Sequence, residues 1–123
     1  AVVSSSRNCG PILDATEISN CFELRVDGVV AERVGLAGKP APDTFVHAAH
    51  ELGVAPQETA VVEDAIAGVR AAKAGSFSLV VGINRTAGQL DLVAAGADVV
   101  VRDLRETYRQ IARPMSSVSE INR

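Results

Sequence analysis

Three short polar stretches have residue types that could do chemistry together. The first is Ser4-Ser5-Ser6-Arg7-Asn8. Hydroxyls and backbone N–H groups between a strand and a helix N-terminus make an anion site, and Arg7 would add positive charge. The same letters also describe a serine-rich turn with an N-cap. The second is Lys39, held between Gly38 and Pro40. A lysine on a pinned loop can present its ammonium to phosphate as a point charge, although a solvated surface lysine has the same letters. The third is Glu63-Asp64, directly after Val61-Val62. Two adjacent carboxylates are costly to hold together without a cation. Hard oxygen ligands at a strand end suit magnesium (Mg2+), which keeps waters and substrate oxygens in its shell. Acid placement at a helix start is the structural alternative.

Such groups meet only if the chain between them alternates strands and helices. Residues 1–3 form a β-branched run, followed by a helix signal with Asn8 as N-cap and Pro11 in the first turn. A second strand is expected over 22–26, closed by Asp27-Gly28, and 29–36 is ambiguous, with a short helix as its reading. Two prolines make 38–42 a loop. Phe45, Ala48, Ala49 and Leu52 recur at helical spacing, with Gly53 as the stop. Strands follow over 60–62, 77–81 and 98–101, and helices over 65–74, 86–95 and 104–112. Gly68 inside the 65–74 helix suggests close packing near its start. The strands are continuously apolar rather than alternating. That predicts an α/β fold, a Rossmann-like parallel sheet with helices on both faces. Function in such sheets gathers past the carboxyl ends of the strands.

Composition bounds the partners. The 123 residues are 47% hydrophobic and 22% charged, with 3% aromatics and no Trp, so the core must be aliphatic. A net charge of -3 excludes a general electrostatic grip on nucleic acid or an anionic membrane surface. No stretch reaches the length of a membrane span. Two cysteines, Cys9 and Cys21, are too few for a disulfide framework and point to a reduced, cytoplasmic chain. Gly35 to Lys39 lacks P-loop spacing, and His47 and His50 have no third ligand nearby. The sequence opens inside a strand, which suggests a portion of a longer chain.

Taken in order, SSSRN, GKPAPDTF and VVEDAIAGVRAAKAG resemble the haloacid dehalogenase superfamily of phosphoryl-transfer enzymes, and within it the β-phosphoglucomutase-like phosphatases and mutases. The resemblance covers residues 2–104. It implies that Ser4 binds the transferring phosphoryl group, that Lys39 neutralises it, and that Glu63 and Asp64 hold Mg2+. It also implies that Ser5, Ser6, Arg7 and Asn8 serve a substrate phosphate, with Ser6, Arg7 and Asn8 at the second phosphate in the mutase branch; that branch usually has Lys where Arg7 stands, and family members often carry Ser where Ala65 stands.

One departure is large. The nucleophile of that superfamily is the first Asp of a D-x-D-G motif, which is not in this sequence. Val26-Asp27-Gly28-Val29 imitates it, but Arg25 stands in the nucleophile's place, and Asp27-Gly28 is expected to be the turn after the second strand. The resemblance therefore implies residues 1–113 as a partial core domain, lacking its first, central strand and the cap domain, with 114–123 as a frayed tail. The expected parent is a Mg2+-dependent phosphatase or phosphomutase for a small phosphorylated metabolite such as a sugar phosphate, and this chain alone is expected to be inactive. A missing N-terminal segment or a second copy would complete the sheet. The competing expectation is a non-catalytic α/β structural or regulatory domain. A receiver-like module does not fit, because Lys39 precedes the acidic pair.

Overall fold

The computed structural model describes residues 1–85 and 89–111. In chain order the elements are β1 (Val2–Val3), α1 (Cys9–Ala15), β2 (Arg25–Val26), α2 (Gly28–Val34), α3 (Asp43–Glu51), β3 (Ala60–Glu63), α4 (Ile66–Ala74), β4 (Leu79–Ile83), α5 (Gln89–Ala95), β5 (Val99–Val101) and α6 (Leu104–Ile111). Single 3-10 turns at Ser19–Cys21 and Pro56–Glu58 precede β2 and β3.

All strand pairs are parallel, as expected of an α/β chain. They form two sheets rather than one: β1-β2, and β3-β4-β5. Val2 lies opposite Arg25 in the first, and Val61 opposite Val80 in the second. Between the two sheets lies a cavity of about 640 Å³. Residues from Ala1 to Ser5 line one side of it and residues from Thr59 to Asp64 the other. The break falls where the resemblance leaves a central strand missing.

The larger sheet carries the core. Phe45, Ala49, Val61, Val69, Ala71, Ala72, Phe77, Val80, Leu92 and Ala97 form one buried cluster. Phe45 and Phe77 meet edge-on with centroids 6.0 Å apart. Alanines on α3 and α4 let α4 come close to β3 and β4 and α3 come close to α4 and the smaller sheet, in a chain short of large side chains. The expected burial on both faces holds for β4, whose Val80 and Val81 are buried. It fails for β3, where Val62 is 44% exposed. This strand borders the cavity, so part of its surface has nothing over it.

Several boundaries differ from the sequence expectation. β2 is two residues, not five, because only Arg25 and Val26 have partners on β1, Val2 and Val3. β4 begins two residues later than expected, after Phe77 has turned into the core. The residue with positive φ after α4 is Ser76, not Gly75. Gly75 is needed for space, since a Cβ there would lie 2.8 Å from the Phe77 ring. The expected helix over 86–95 is seen from Gln89; residues 86–88 and the expected tail at 114–123 lie outside the described residues.

Asp98 joins β4 to β5. Its backbone N–H donates to the Val80 carbonyl, and its carboxylate accepts from the Val80 N–H at 2.8 Å and from the Lys73 ammonium at 3.2 Å. The Val80 N–H, and then Lys73, hold the Asp98 carboxyl below its ordinary value. A depressed folded-state value means that the stabilisation is complete above the unfolded value, about pH 4, and is lost as pH falls through the folded one. Urea midpoints measured between neutral pH and about pH 3 should therefore fall less steeply for Asp98→Asn than for the parent chain. Parallel curves would contradict this role.

Candidate active site

The loop after β1 is built by its own serines. The Ser4 N–H donates to the Val26 carbonyl, continuing the β1-β2 pairing for one residue. Ser4 Oγ then accepts the Ser6 N–H at 3.1 Å, and Ser6 Oγ accepts the Asn8 N–H at 3.0 Å. These side-chain turns lead the chain into α1. Asn8 occupies the N-cap position but makes no side-chain cap bond there, so the expected Asn8 cap is not made. Gly28 permits the close approach of α2, since a Cβ on it would sit 2.8 Å from the Ser5 carbonyl.

Lys39 sits in a loop pinned from both sides. Asp43 accepts the Ala37 N–H at 3.1 Å, and the Gly38 carbonyl accepts the Ala41 N–H at 3.0 Å. The Lys39 ammonium reaches the cavity with its side chain only 13% exposed. It donates to Glu63 Oε2 at 2.7 Å and lies 3.5 Å from the Val3 carbonyl and 4.7 Å from the centre of the Phe45 ring. It thus touches β1, β3 and the core at once.

Glu63 and Asp64 end β3 differently. Glu63 turns inward. Its Oε1 accepts the backbone N–H groups of Asp64 and Ala65 at 3.0 and 3.2 Å, while Oε2 takes Lys39. This carboxylate supplies what Ala65, the N-cap of α4, has no side chain to give. Asp64 points outward, half exposed, and among the described residues its ion-pair partner is the Arg85 guanidinium at 3.8 Å. Arg85, just past the carboxyl end of β4, also lines the cavity. Sequence reasoning missed it: a lone arginine in a polar turn carries no signal until the sheet register places it beside β3.

Ser4, Ser5, Lys39, Glu63 and Asp64 all line the one cavity, although they are distant in sequence. Ser6, Arg7 and Asn8 do not line it. Arg7 instead pairs with Glu32 of α2 on an exposed surface. Asp27 is 3% exposed, caps α2 through the Val29 and Val30 N–H groups at 3.0 Å, and pairs with Arg25 at 3.1 Å. It is the turn residue that the sequence suggested. His50 faces Glu51 at 3.6 Å, and both cysteines are free.

Whether these residues fit a magnesium ion depends on free oxygens. Among the described residues no group of three His, Cys, Asp or Glu side chains could hold a metal. Glu63 has both oxygens engaged, which leaves the Asp64 carboxylate as the available hard donor. Mg2+ is commonly bound through one or two carboxylates, with water and substrate phosphate completing its shell. The donor set therefore fits a shared metal site rather than a closed one.

Serine hydroxyls, a lysine and an acidic pair thus gather at the carboxyl ends of the strands of a parallel α/β unit, where such folds place their ligand sites. Residues 1–75 match the family model for haloacid dehalogenase-like hydrolases, and the chain belongs to that family. It is 52% identical over 109 residues to a β-phosphoglucomutase of Mycobacterium bovis, covering 86% of this chain and 42% of that protein. It is 36% identical over 110 residues to a trehalose-phosphate phosphatase of Mycobacterium leprae, covering 86% of this chain and 24% of that protein. In structure it resembles a haloacid dehalogenase family hydrolase of Deinococcus radiodurans with bound phosphate and sodium. The TM-score is 0.80 at 27% identity, covering 91% of this chain and 51% of that one. The chain spans less than half the length of the curated relatives it matches.

Proposed function

We propose that this chain is the phosphate- and metal-binding half of a Mg2+-dependent phosphatase or phosphomutase acting on a small phosphorylated metabolite, a sugar phosphate above all. The observation that carries the reading is the convergence of Ser4, Lys39, Glu63 and Asp64 on one cavity at the carboxyl ends of β1 and β3. The sugar-phosphate class is supported by the two relatives described above.

In this reading the Ser4 hydroxyl donates to a phosphoryl oxygen and orients the group for attack. The Lys39 ammonium, already at the cavity, offsets charge on the equatorial oxygens as it redistributes in the transition state. Asp64 would hold Mg2+, which supplies further positive charge on the transferring group. Glu63 keeps Lys39 and the start of α4 in place and contributes to the same acidic end. Ser5 lines the cavity beside Ser4 and adds a second hydroxyl for the phosphoryl oxygens. Ser6, Arg7 and Asn8, at the outer rim, would meet a second anionic group of the substrate once Arg7 leaves Glu32.

The nucleophile is assigned to an aspartate on a further strand seated between β1 and β3. Both strands present an unpaired edge there, and unpaired backbone N–H and C=O groups are costly to bury. An N-terminal segment of the same protein is the occupant we assign; a second copy of the chain would be the other source. The proposed setting is the cytoplasm, with neither nucleic acid nor membrane as partner. Two free cysteines and a net charge of -3 support it, and among the described residues no helix is long and apolar enough to cross a membrane.

The test is Mg2+-dependent hydrolysis of an aryl phosphate by these 123 residues alone. The reading predicts no turnover above background. Robust turnover that survives Asp27→Asn would show that the nucleophile lies elsewhere in the chain, and turnover lost in that variant alone would make Asp27 the nucleophile.

A further inference from the structure

Gly68, the third residue of α4, is buried directly beneath the Glu63 side chain. A Cβ placed on it would overlap Glu63 Cγ, Cδ and Oε2, and these are the three nearest atoms it would meet. The obstruction is thus a movable side chain and not the backbone of a neighbouring element. Helix stability alone would favour alanine here, since glycine is the poorest helix former after proline. The space is used by the carboxylate that holds Lys39.

We propose that Gly68 is a positioning residue for Lys39. Its missing Cβ creates the seat in which Glu63 lies across the first turn of α4, with Oε1 on the Asp64 and Ala65 N–H groups and Oε2 on the Lys39 ammonium. Fill that seat and Glu63 has to swing away, releasing the ammonium while the helix remains intact. The position therefore exchanges helix stability for site geometry. The proposal rests on reading Lys39 as the group that meets the phosphoryl charge, and it adds a determinant of where that charge sits.

Selective amine labelling can read this directly, because Lys39 and Lys73 are the only lysines in the sequence. Lys73 is half exposed and pairs with Asp98 rather than with the cavity, so it serves as the internal reference. The full chain is treated with limiting acetic anhydride, without phosphate or metal, and modification at each lysine is quantified by mass spectrometry. Circular dichroism and urea unfolding are recorded in parallel.

In the parent chain Lys39 should react more slowly than Lys73. Both Gly68→Ala and Glu63→Gln should raise the Lys39 to Lys73 ratio by about fivefold, because each removes a charge-assisted hydrogen bond. The double variant should go no higher than Glu63→Gln alone, since both changes break one contact. The urea midpoint of Gly68→Ala should fall less than that of Lys39→Met, because the helix gain of alanine offsets part of the lost ion pair. The proposal is overturned if Gly68→Ala leaves the ratio at the parent value, if the two effects simply multiply, or if Lys39 already reacts as fast as Lys73. Should Gly68→Ala fail to fold, Gly68→Ala/Glu63→Ala decides. A folded double variant locates the obstruction in the Glu63 side chain, and an unfolded one assigns Gly68 to backbone packing and refutes the proposal. Labelling reports geometry alone. If it fails while phosphate binding still requires Lys39, the phosphoryl reading stands without Gly68.

Discussion

Lys39→Met will destabilise the chain by on the order of 2–3 kcal/mol near neutral pH, and adding Glu63→Gln will recover at least half of that loss. The reason is the burial of the pair: the two side chains are 13% and 11% exposed. Methionine retains most of the packing on Phe45 but leaves Glu63 as a carboxylate with one oxygen unpaired at a largely enclosed site. Removing one member of a buried ion pair costs about 3–5 kcal/mol. The value here is placed lower because the Asp64 and Ala65 N–H groups still hold the other oxygen. Urea unfolding of the parent, both single variants and the double variant measures the cycle. A double variant no more stable than Lys39→Met would mean that the two groups do not interact in solution.

Phe45→Ala will have the largest effect on the fold, about 3–5 kcal/mol, or a drop of about 2 M in the urea midpoint. Phe45 is 7% exposed, sits in the main buried cluster and packs edge-on against Phe77. Few other large side chains are available: the sequence has three Phe, one Tyr and no Trp. Small neighbours such as Ala49, Ala71 and Ala72 cannot collapse far into the space left behind. The same ring lies under the Lys39 ammonium, so the variant also loosens the site. A shift below about 0.5 M would show that the packed core lies elsewhere.

Much of this arrangement was legible from the residues. Parallel α/β order followed from apolar runs separated by helical spacings. The stop of α3 followed from Gly53, whereas after α4 the left-handed backbone falls on Ser76, because Gly75 is needed for its lack of side chain against Phe77. Ser4, Lys39, Glu63 and Asp64 were found because each stands in a motif at a strand end or on a proline-pinned loop. What stayed hidden depends on contacts between distant segments. Arg85 joins Asp64 only through the β3-β4 register. Nothing in the letters distinguishes Glu63 turning in from Asp64 turning out; the division follows from the space over Gly68. The pairing of Arg7 with Glu32 likewise depends on α2 packing beside the loop.

Calorimetric titration of inorganic phosphate into the chain, with and without MgCl2, tests the central claim that Lys39 and Asp64 share one phosphoryl site. The account predicts weak binding, of about millimolar affinity, that requires Mg2+ and disappears in both Lys39→Met and Asp64→Asn while persisting in Asp27→Asn. Phosphate binding that is absent from the parent chain, or equal in all four proteins, would contradict it.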